Sequence, residues 1–191
     1  YEYIIKYIRK LSPNSILDLG CGLGDMLINL DEVKYRTGVD SDVRFAQKRS
    51  NLVKWIEEDV ELFDNLGDYE FIICHHVIEH LTNPVNFIKR IYNRMDKNSI
   101  LIIGTPDFDS GAARLFDKKF RMLADPTHQS LFSLDSLSRL LRDTGFHLID
   151  SDFPFFDTNY FNSENLMKLF NTNGLSPAFY GNWVTLFAKK S

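Results

Sequence analysis

Ile16-Leu17-Asp18-Leu19-Gly20-Cys21-Gly22-Leu23-Gly24-Asp25 holds the densest information in the chain. The apolar run that begins at Ser15 gives way to glycines at 20, 22 and 24, and residues without a Cβ permit a tight turn and a close approach of backbone to a ligand. A flat or charged ligand is expected against such a loop. The dinucleotide-binding fingerprint places its third glycine three positions after the second, whereas Gly24 follows Gly22 by two, so the spacing argues against a nicotinamide cofactor. A turn needed only for tightness would use the same residue type.

Two later strand ends add to the loop. Asp40 closes Tyr35-Arg36-Thr37-Gly38-Val39-Asp40 sixteen residues after Gly24, where a carboxylate can accept hydrogen bonds from both hydroxyls of a ribose. Asp59 stands in Glu57-Glu58-Asp59-Val60, placed to accept a bond from an adenine amino group while Val60 packs on the ring. Either aspartate also suits a plain turn or helix cap. Three successive strand ends that each offer a nucleoside contact are harder to assign to turns alone.

Around these positions the chain alternates between helix and strand patterns. Ile4, Ile8 and Leu11 recur at helical spacing before Pro13, which predicts an amphipathic helix over 1–11. Residues 52–56 form a weaker strand candidate, while Phe71-Ile72-Ile73-Cys74 and Ile100-Leu101-Ile102-Ile103 are nearly all apolar. Strands without polar alternation are buried on both faces, as in a parallel sheet covered by helices. Asn83-Pro84 predicts a helix start ahead of Ile88, Ile91 and Met95, and Ser133 another ahead of Leu134, Leu137 and Leu141 that stops at Gly145. The expectation is a doubly wound α/β fold with its site beyond the carboxyl ends of the strands. Two stretches break the regularity, residues 106–130 and 153–182, and read as a lid or substrate insert and an irregular substrate-side loop.

Composition limits the function classes. The 191 residues read as one domain spanning 1–191, 44% hydrophobic and 25% charged with a formal net charge of −4, which excludes fibrous and disordered classes and disfavours a sequence-independent nucleic-acid binder. Cys21 and Cys74 are too few for a disulfide framework, so a reducing, cytoplasmic setting is expected. No apolar stretch reaches the roughly 20 residues of a membrane span, and the first residues lack a signal-peptide layout. The chain does not begin with methionine, so further N-terminal sequence is expected.

At these residues the sequence resembles the class I S-adenosylmethionine-dependent methyltransferases. Leu17 to Gly24 is similar to the family's glycine loop, Gly38-Val39-Asp40 to its ribose-binding acid, and Glu58-Asp59-Val60 to its adenine contact. Val77-Ile78-Glu79-His80-Leu81-Thr82-Asn83-Pro84, the strand end Gly104-Thr105-Pro106-Asp107, and His128-Gln129-Ser130-Leu131-Phe132-Ser133 resemble segments of the subgroup that includes ubiquinone-biosynthesis-like O-methyltransferases. The helix carrying Leu137, Leu140 and Leu141 before Gly145-Phe146 also matches that subgroup, and the likeness covers roughly residues 15–150. Met95-Asp96-Lys97-Asn98-Ser99 departs from the usual turn before the fifth strand, and 153–182 matches nothing in the family.

The resemblance implies a seven-stranded, mostly parallel sheet of order 3-2-1-4-5-7-6 with helices on both faces, its last, antiparallel strand at Trp183–Ala188. It implies a cofactor, S-adenosyl-L-methionine, bound by Asp18, Gly20, Cys21, Gly22, Gly24, Asp40, Ser41, Asp59, Val60, His75 and His76. Because the sulfonium already activates the methyl group, the protein mainly aligns a nucleophile and removes its proton. His128 is the expected general base; the competing reading is a histidine that pins the lid. His76, Glu79 and His80 resemble a metal-binding arrangement of some relatives, but no metal is assigned. Lys118, Lys119 and Arg121 read as a solvated cluster or an anion contact, the aromatics Phe153, Phe155, Phe156, Tyr160 and Phe161 as a pocket wall or an edge seal, and Cys21 and Cys74 as neighbouring buried thiols. The expected function is methyl transfer to a small-molecule acceptor, at a hydroxyl oxygen, with homo-oligomerisation open and nucleic acid disfavoured. The alternatives are a catalytically silent methyltransferase-like subunit and, from the loop alone, an NAD-dependent oxidoreductase.

Overall fold

The structure is a computed structural model that describes residues 1–190. In chain order the elements are α1 (Glu2–Leu11), β1 (Ser15–Leu19), α2 (Asp25–Ile28), β2 (Tyr35–Asp40), α3 (Arg44–Arg49), β3 (Lys54–Glu57), β4 (Phe71–His75), α4 (Pro84–Arg94), β5 (Ile100–Pro106), α5 (Gly111–Phe116), α6 (Leu134–Thr144), β6 (His147–Asp152), α7 (Ser163–Lys168) and β7 (Trp183–Lys189). The seven strands form one sheet of order β3-β2-β1-β4-β5-β7-β6. Pairs from β3 through β5 are parallel, and β7 runs antiparallel to both β5 and β6. This is the topology the resemblance implies.

The apolar runs explain the layers. Along β1, β4 and β5, Ile16, Ile73 and Ile102 pack on Ile4 and Ile8 of α1 and Leu27 of α2. The alternate residues Leu17, Leu19, Ile72, Leu101 and Ile103 pack on Phe87, Ile88 and Ile91 of α4 and Leu137 and Leu141 of α6. Burying α4's three apolar side chains stabilises this layer by about 1.5–3 kcal/mol each, an upper figure because the unfolded chain already hides some surface. Local signals fix the helix ends: Asn83 Oδ1 accepts the Asn86 amide with Pro84 in the first turn, and Ser133 and Ser136 form a capping box on a helix that stops at left-handed Gly145.

The two cysteines lie in different layers. Cys74 of β4 packs in the α4/α6 layer, whereas Cys21 stands in the loop after β1, beyond the left-handed turn at Gly20, and packs in the α1/α2 layer. Burial raises both thiol pKa values, as expected of small buried hydrophobes. Both irregular stretches contain short helices. Residues 106–130 carry α5, capped by Ser110 and seated on buried Ala112, Ala113 and Phe116, followed by 3₁₀ turns at Asp117–Lys119 and Arg121–Ala124. Residues 153–182 carry α7, capped by Asn162. Among the described residues no helix is long and apolar enough to cross a membrane.

Candidate functional site

The carboxyl ends of β1, β2 and β4 converge on the glycine loop. Val39 of β2 accepts the Gly20 and Cys21 amides at 2.8 and 3.1 Å, and the Gly24 amide closes the turn on the Cys21 carbonyl at 2.9 Å. All three glycines have positive φ, 78°, 50° and 79°, a region that costs residues with a Cβ roughly 1–2 kcal/mol. A Cβ on Gly20 would come within 2.2 Å of Val77 Cγ2 and one on Gly24 within 2.4 Å of Trp55, so these two let the loop press against β3 and the turn after β4. A Cβ on Gly22 would meet nothing within 4 Å. Gly22 thus borders open space, the side from which a ligand can reach the backbone.

Two carboxyl groups flank the loop. Asp40 Oδ2 accepts the Gly22 amide at 2.8 Å, while its Oδ1 accepts the Asp42 amide at 3.2 Å and the Ser41 hydroxyl at 3.4 Å. The loop and the β2 end are therefore fastened to each other. Asp18 is 4% exposed, and its side chain has no hydrogen-bond partner among the described residues. Burial, with a smaller contribution from the negative Asp40, pushes its pKa up to about 7. A buried carboxyl without a partner beside an open glycine suits a ligand bearing an ammonium group.

Asp59 accepts the Glu61 amide at 2.8 Å, so one of its oxygens serves the turn. Val60 packs against the α4/α6 layer and its carbonyl accepts from Arg90 of α4 at 2.8 Å. Arg90 carries no motif, and its link to this loop is visible only in three dimensions.

The end of β4 carries the imidazoles. His75 lies over Gly104 of β5, where a Cβ would stand 2.3 Å from its ring. Its Nε2 bonds the Tyr3 hydroxyl at 2.9 Å, and that hydroxyl is 2.6 Å from Thr185 Oγ1 of β7. Burial holds His75 well below the usual imidazole pKa, and its buried Nδ1 has no partner among the described residues. His76 has φ 57° and bonds the carboxylate of Glu79 through Nδ1 at 3.1 Å. Glu79 is 0% exposed; its other oxygen accepts the Thr105 hydroxyl at 3.0 Å, and its carbonyl accepts the Gln129 and Ser130 amides at 2.8 and 3.0 Å. The three motif segments that resemble one subgroup thus meet at one residue, Glu79, through its side chain and its backbone carbonyl.

His128 Nδ1 bonds the Met122 carbonyl at 2.7 Å, so that nitrogen carries the proton and Nε2 stays free. Its side chain is 8% exposed and packs on the His80 and Phe108 rings. Ligand atoms of Glu79, His80 and His128 lie within 4.8 Å of one another. Both Glu79 oxygens and His80 Nδ1 already have hydrogen-bond partners, and no metal is assigned to them.

Sequence-marked residues farther out divide between structural and open roles. Lys119 donates to the Thr172 carbonyl at 3.1 Å and ties the two irregular stretches together. Phe155 is buried against Phe156, Phe161 and Phe179, whereas Phe156, Tyr160 and Phe161 keep exposed faces.

Comparison with known proteins agrees with this geometry. Residues 2–151 match the family model described as a methyltransferase domain. A ubiquinone biosynthesis O-methyltransferase of Rickettsia prowazekii (strain Madrid E) is 31% identical over 118 residues, covering 54% of this chain and 46% of that protein. The Rickettsia bellii (strain OSU 85-389) protein of the same name is 29% identical over 116 residues, so the chain spans about half the length of these relatives. Magnesium protoporphyrin IX methyltransferase from Synechocystis PCC 6803, solved with bound SAH, superposes with a TM-score of 0.71 at 18% identity, over 100% of this chain and 81% of that one. The chain belongs to the methyltransferase-domain family, and its fold is that of the class I S-adenosylmethionine-dependent methyltransferases.

Proposed function

We propose that this chain transfers the methyl group of S-adenosylmethionine to a hydroxyl oxygen of a small acceptor. The observation that carries the reading is the open side of Gly22 between Asp40, fixed on the loop amide, and the unpartnered buried carboxyl of Asp18. In this reading Gly20, Cys21, Gly22 and Gly24 cradle the methionine part and Asp18 faces its ammonium. Asp40 with Ser41 takes the ribose, Asp59 and Val60 the adenine, and His75 and His76 border the sulfonium.

When bound, the cofactor supplies an already activated methyl group; the chain's own task is to orient the acceptor, exclude water and take the acceptor's proton. The histidines at the strand ends suit a hydroxyl acceptor, which must lose a proton, and the relatives named as O-methyltransferases favour the same class. His128 is one candidate for that proton because its Nε2 is free. Calorimetric titration with S-adenosylhomocysteine and with NAD tests the cofactor, and a hydroxyl panel of a phenol, a sugar and an alkyl alcohol tests the acceptor. Binding of the first ligand only, with turnover of a panel member, is expected. NAD binding alone would return the oxidoreductase reading, and cofactor binding without turnover would favour a silent subunit.

A further inference from the structure

We infer that His76, held by Glu79, takes the proton from the acceptor hydroxyl, while His128 fastens the 120–130 segment over the site. The inference rests on the hydroxyl-transfer reading and names the proton's destination.

Four observations carry it. First, His76 follows β4 directly, where the parallel strands end, and its side chain is 35% exposed. Second, its Nδ1 is 3.1 Å from a carboxylate that is 0% exposed. A carboxylate acceptor keeps the proton of neutral imidazole on Nδ1 and leaves the Nε2 lone pair as the base. Third, the carboxylate cannot swing away: Thr105 of β5 donates to its second oxygen at 3.0 Å, and the backbone of Glu79 is anchored by two amides from 129–130. Fourth, His76 holds φ 57°, a sparsely populated region for a side chain with a Cβ, and its amide donates to the Gly104 carbonyl at 2.8 Å. Such strain persists where surrounding structure fixes it, and it concentrates at working sites. His128 has no carboxylate on its Nδ1, the nitrogen that would have to be held protonated for Nε2 to act as base. Its Nδ1 rests on a neutral carbonyl, and Asp125 Oδ2 stands 3.9 Å from its Nε2.

The step balances. The acceptor oxygen forms a bond to the methyl carbon as the carbon–sulfur bond breaks and its electron pair stays on sulfur, giving the thioether. The O–H proton passes to His76 Nε2. The imidazolium so formed faces the Glu79 carboxylate, and Glu79 is a positioning residue.

The test has an arm that needs no acceptor and an arm that does. Nitrogen-15 spectra of the histidine-labelled chain at pH 8 should show His76 protonated at Nδ1, and Glu79→Gln should change that tautomer balance. In the second arm His76→Asn, chosen because asparagine tolerates positive φ, should slow methyl transfer to the panel acceptor by about 10²–10⁴-fold. Because His76 also borders the cofactor, S-adenosylhomocysteine affinity is measured alongside and should fall by less than about tenfold, 1.4 kcal/mol, far less than turnover. The deficit should shrink when the phenol is replaced by the more acidic 4-nitrophenol, a dependence that a purely structural role for His76 would not produce. An Nε2-protonated His76 in the wild-type chain would overturn the inference, as would His76→Asn turning over normally while His128→Asn fails. Absence of any hydroxyl turnover would instead sink the acceptor reading, and is told apart because the nitrogen spectrum is read without acceptor.

Discussion

Alanine at Gly20 and at Gly22 should damage the protein in opposite ways. At Gly20 the new Cβ meets Val77 Cγ2 at 2.2 Å with φ at 78°. Val77 is a core residue, 8% exposed, so it must move by more than 1 Å to reach an ordinary contact of roughly 3.5–4.0 Å. Left-handed backbone costs an alanine about 1–2 kcal/mol and overpacking about 1–3 kcal/mol, giving roughly 2–5 kcal/mol for Gly20→Ala. At Gly22 φ is 50° and nothing lies within 4 Å. Only the backbone term remains, and the stiffer unfolded chain offsets part of it, leaving about 1 kcal/mol. In a chain of this length that is a fall in Tm of roughly 4–20 °C for Gly20→Ala against 2–4 °C for Gly22→Ala. The binding order is reversed: Gly22→Ala places a methyl group on the open side of the loop and should weaken S-adenosylhomocysteine by at least about tenfold, 1.4 kcal/mol. Urea denaturation and calorimetric titration of both variants make the comparison. Unchanged S-adenosylhomocysteine affinity in Gly22→Ala, or a Gly20→Ala chain as stable as wild type, would refute the reading of this loop.

Three further outcomes are expected. Asp40→Ala should lose the bond to the Gly22 amide and weaken S-adenosylhomocysteine by about 1.5–3 kcal/mol, the range for hydrogen bonds to charged groups, measured by titration calorimetry. Asp18, with its pKa raised from 3.8 to about 7, keeps its proton in the folded chain where the unfolded chain has lost it. Its contribution to stability is therefore present below about pH 4 and falls by roughly 4 kcal/mol as pH rises to 7; Asp18→Asn, compared with wild type in urea at pH 5 and pH 8, should remove that slope. Chelation by EDTA should leave methyl transfer unchanged, since the Glu79 oxygens are engaged by His76 and Thr105; loss of activity restored by a divalent ion would show that His80, His128 and Glu79 bind one.

What could be read from the sequence follows from how local each cause is. β1, β4 and β5 are legible because central parallel strands are apolar on both faces, and α4 and α6 because Asn83, Pro84, Ser133 and Gly145 act within one turn of each end. β6 has no such mark. It is an edge strand whose residues are mostly exposed, with a register shift between Leu148 and Asp150, and charge on an edge hides the strand pattern while protecting it from mispairing. In the site, the glycine loop and Asp40 sit within 24 residues and show in sequence. Tyr3 and His75 are 72 residues apart, Glu79 and Thr105 are 26 apart, and Arg90 reaches Val60 across 30. Contacts of that kind leave no local spacing to read. Residues 106–130 looked irregular because α5 and the 3₁₀ turns are each too short to establish a helical period.

Glu79 shows why the strand ends behave as one unit. Its side chain and carbonyl join the turn after β4, the end of β5 and the 128–130 segment through four hydrogen bonds, two to oxygens of the carboxylate and two to the backbone. A tie of this kind needs no charge, because an amide side chain could make similar links. Taking a carboxylate wholly out of water costs several kcal/mol unless a positive group stands against it. Among the described residues its side-chain partners are Thr105, which cannot become positive, and His76, which can. A proton on His76 would supply that positive group, which is the condition the inferred transfer creates. In the inferred transfer the ion pair forms as the proton arrives on His76, so the carboxylate that ties the strand ends together also favours the reaction's direction.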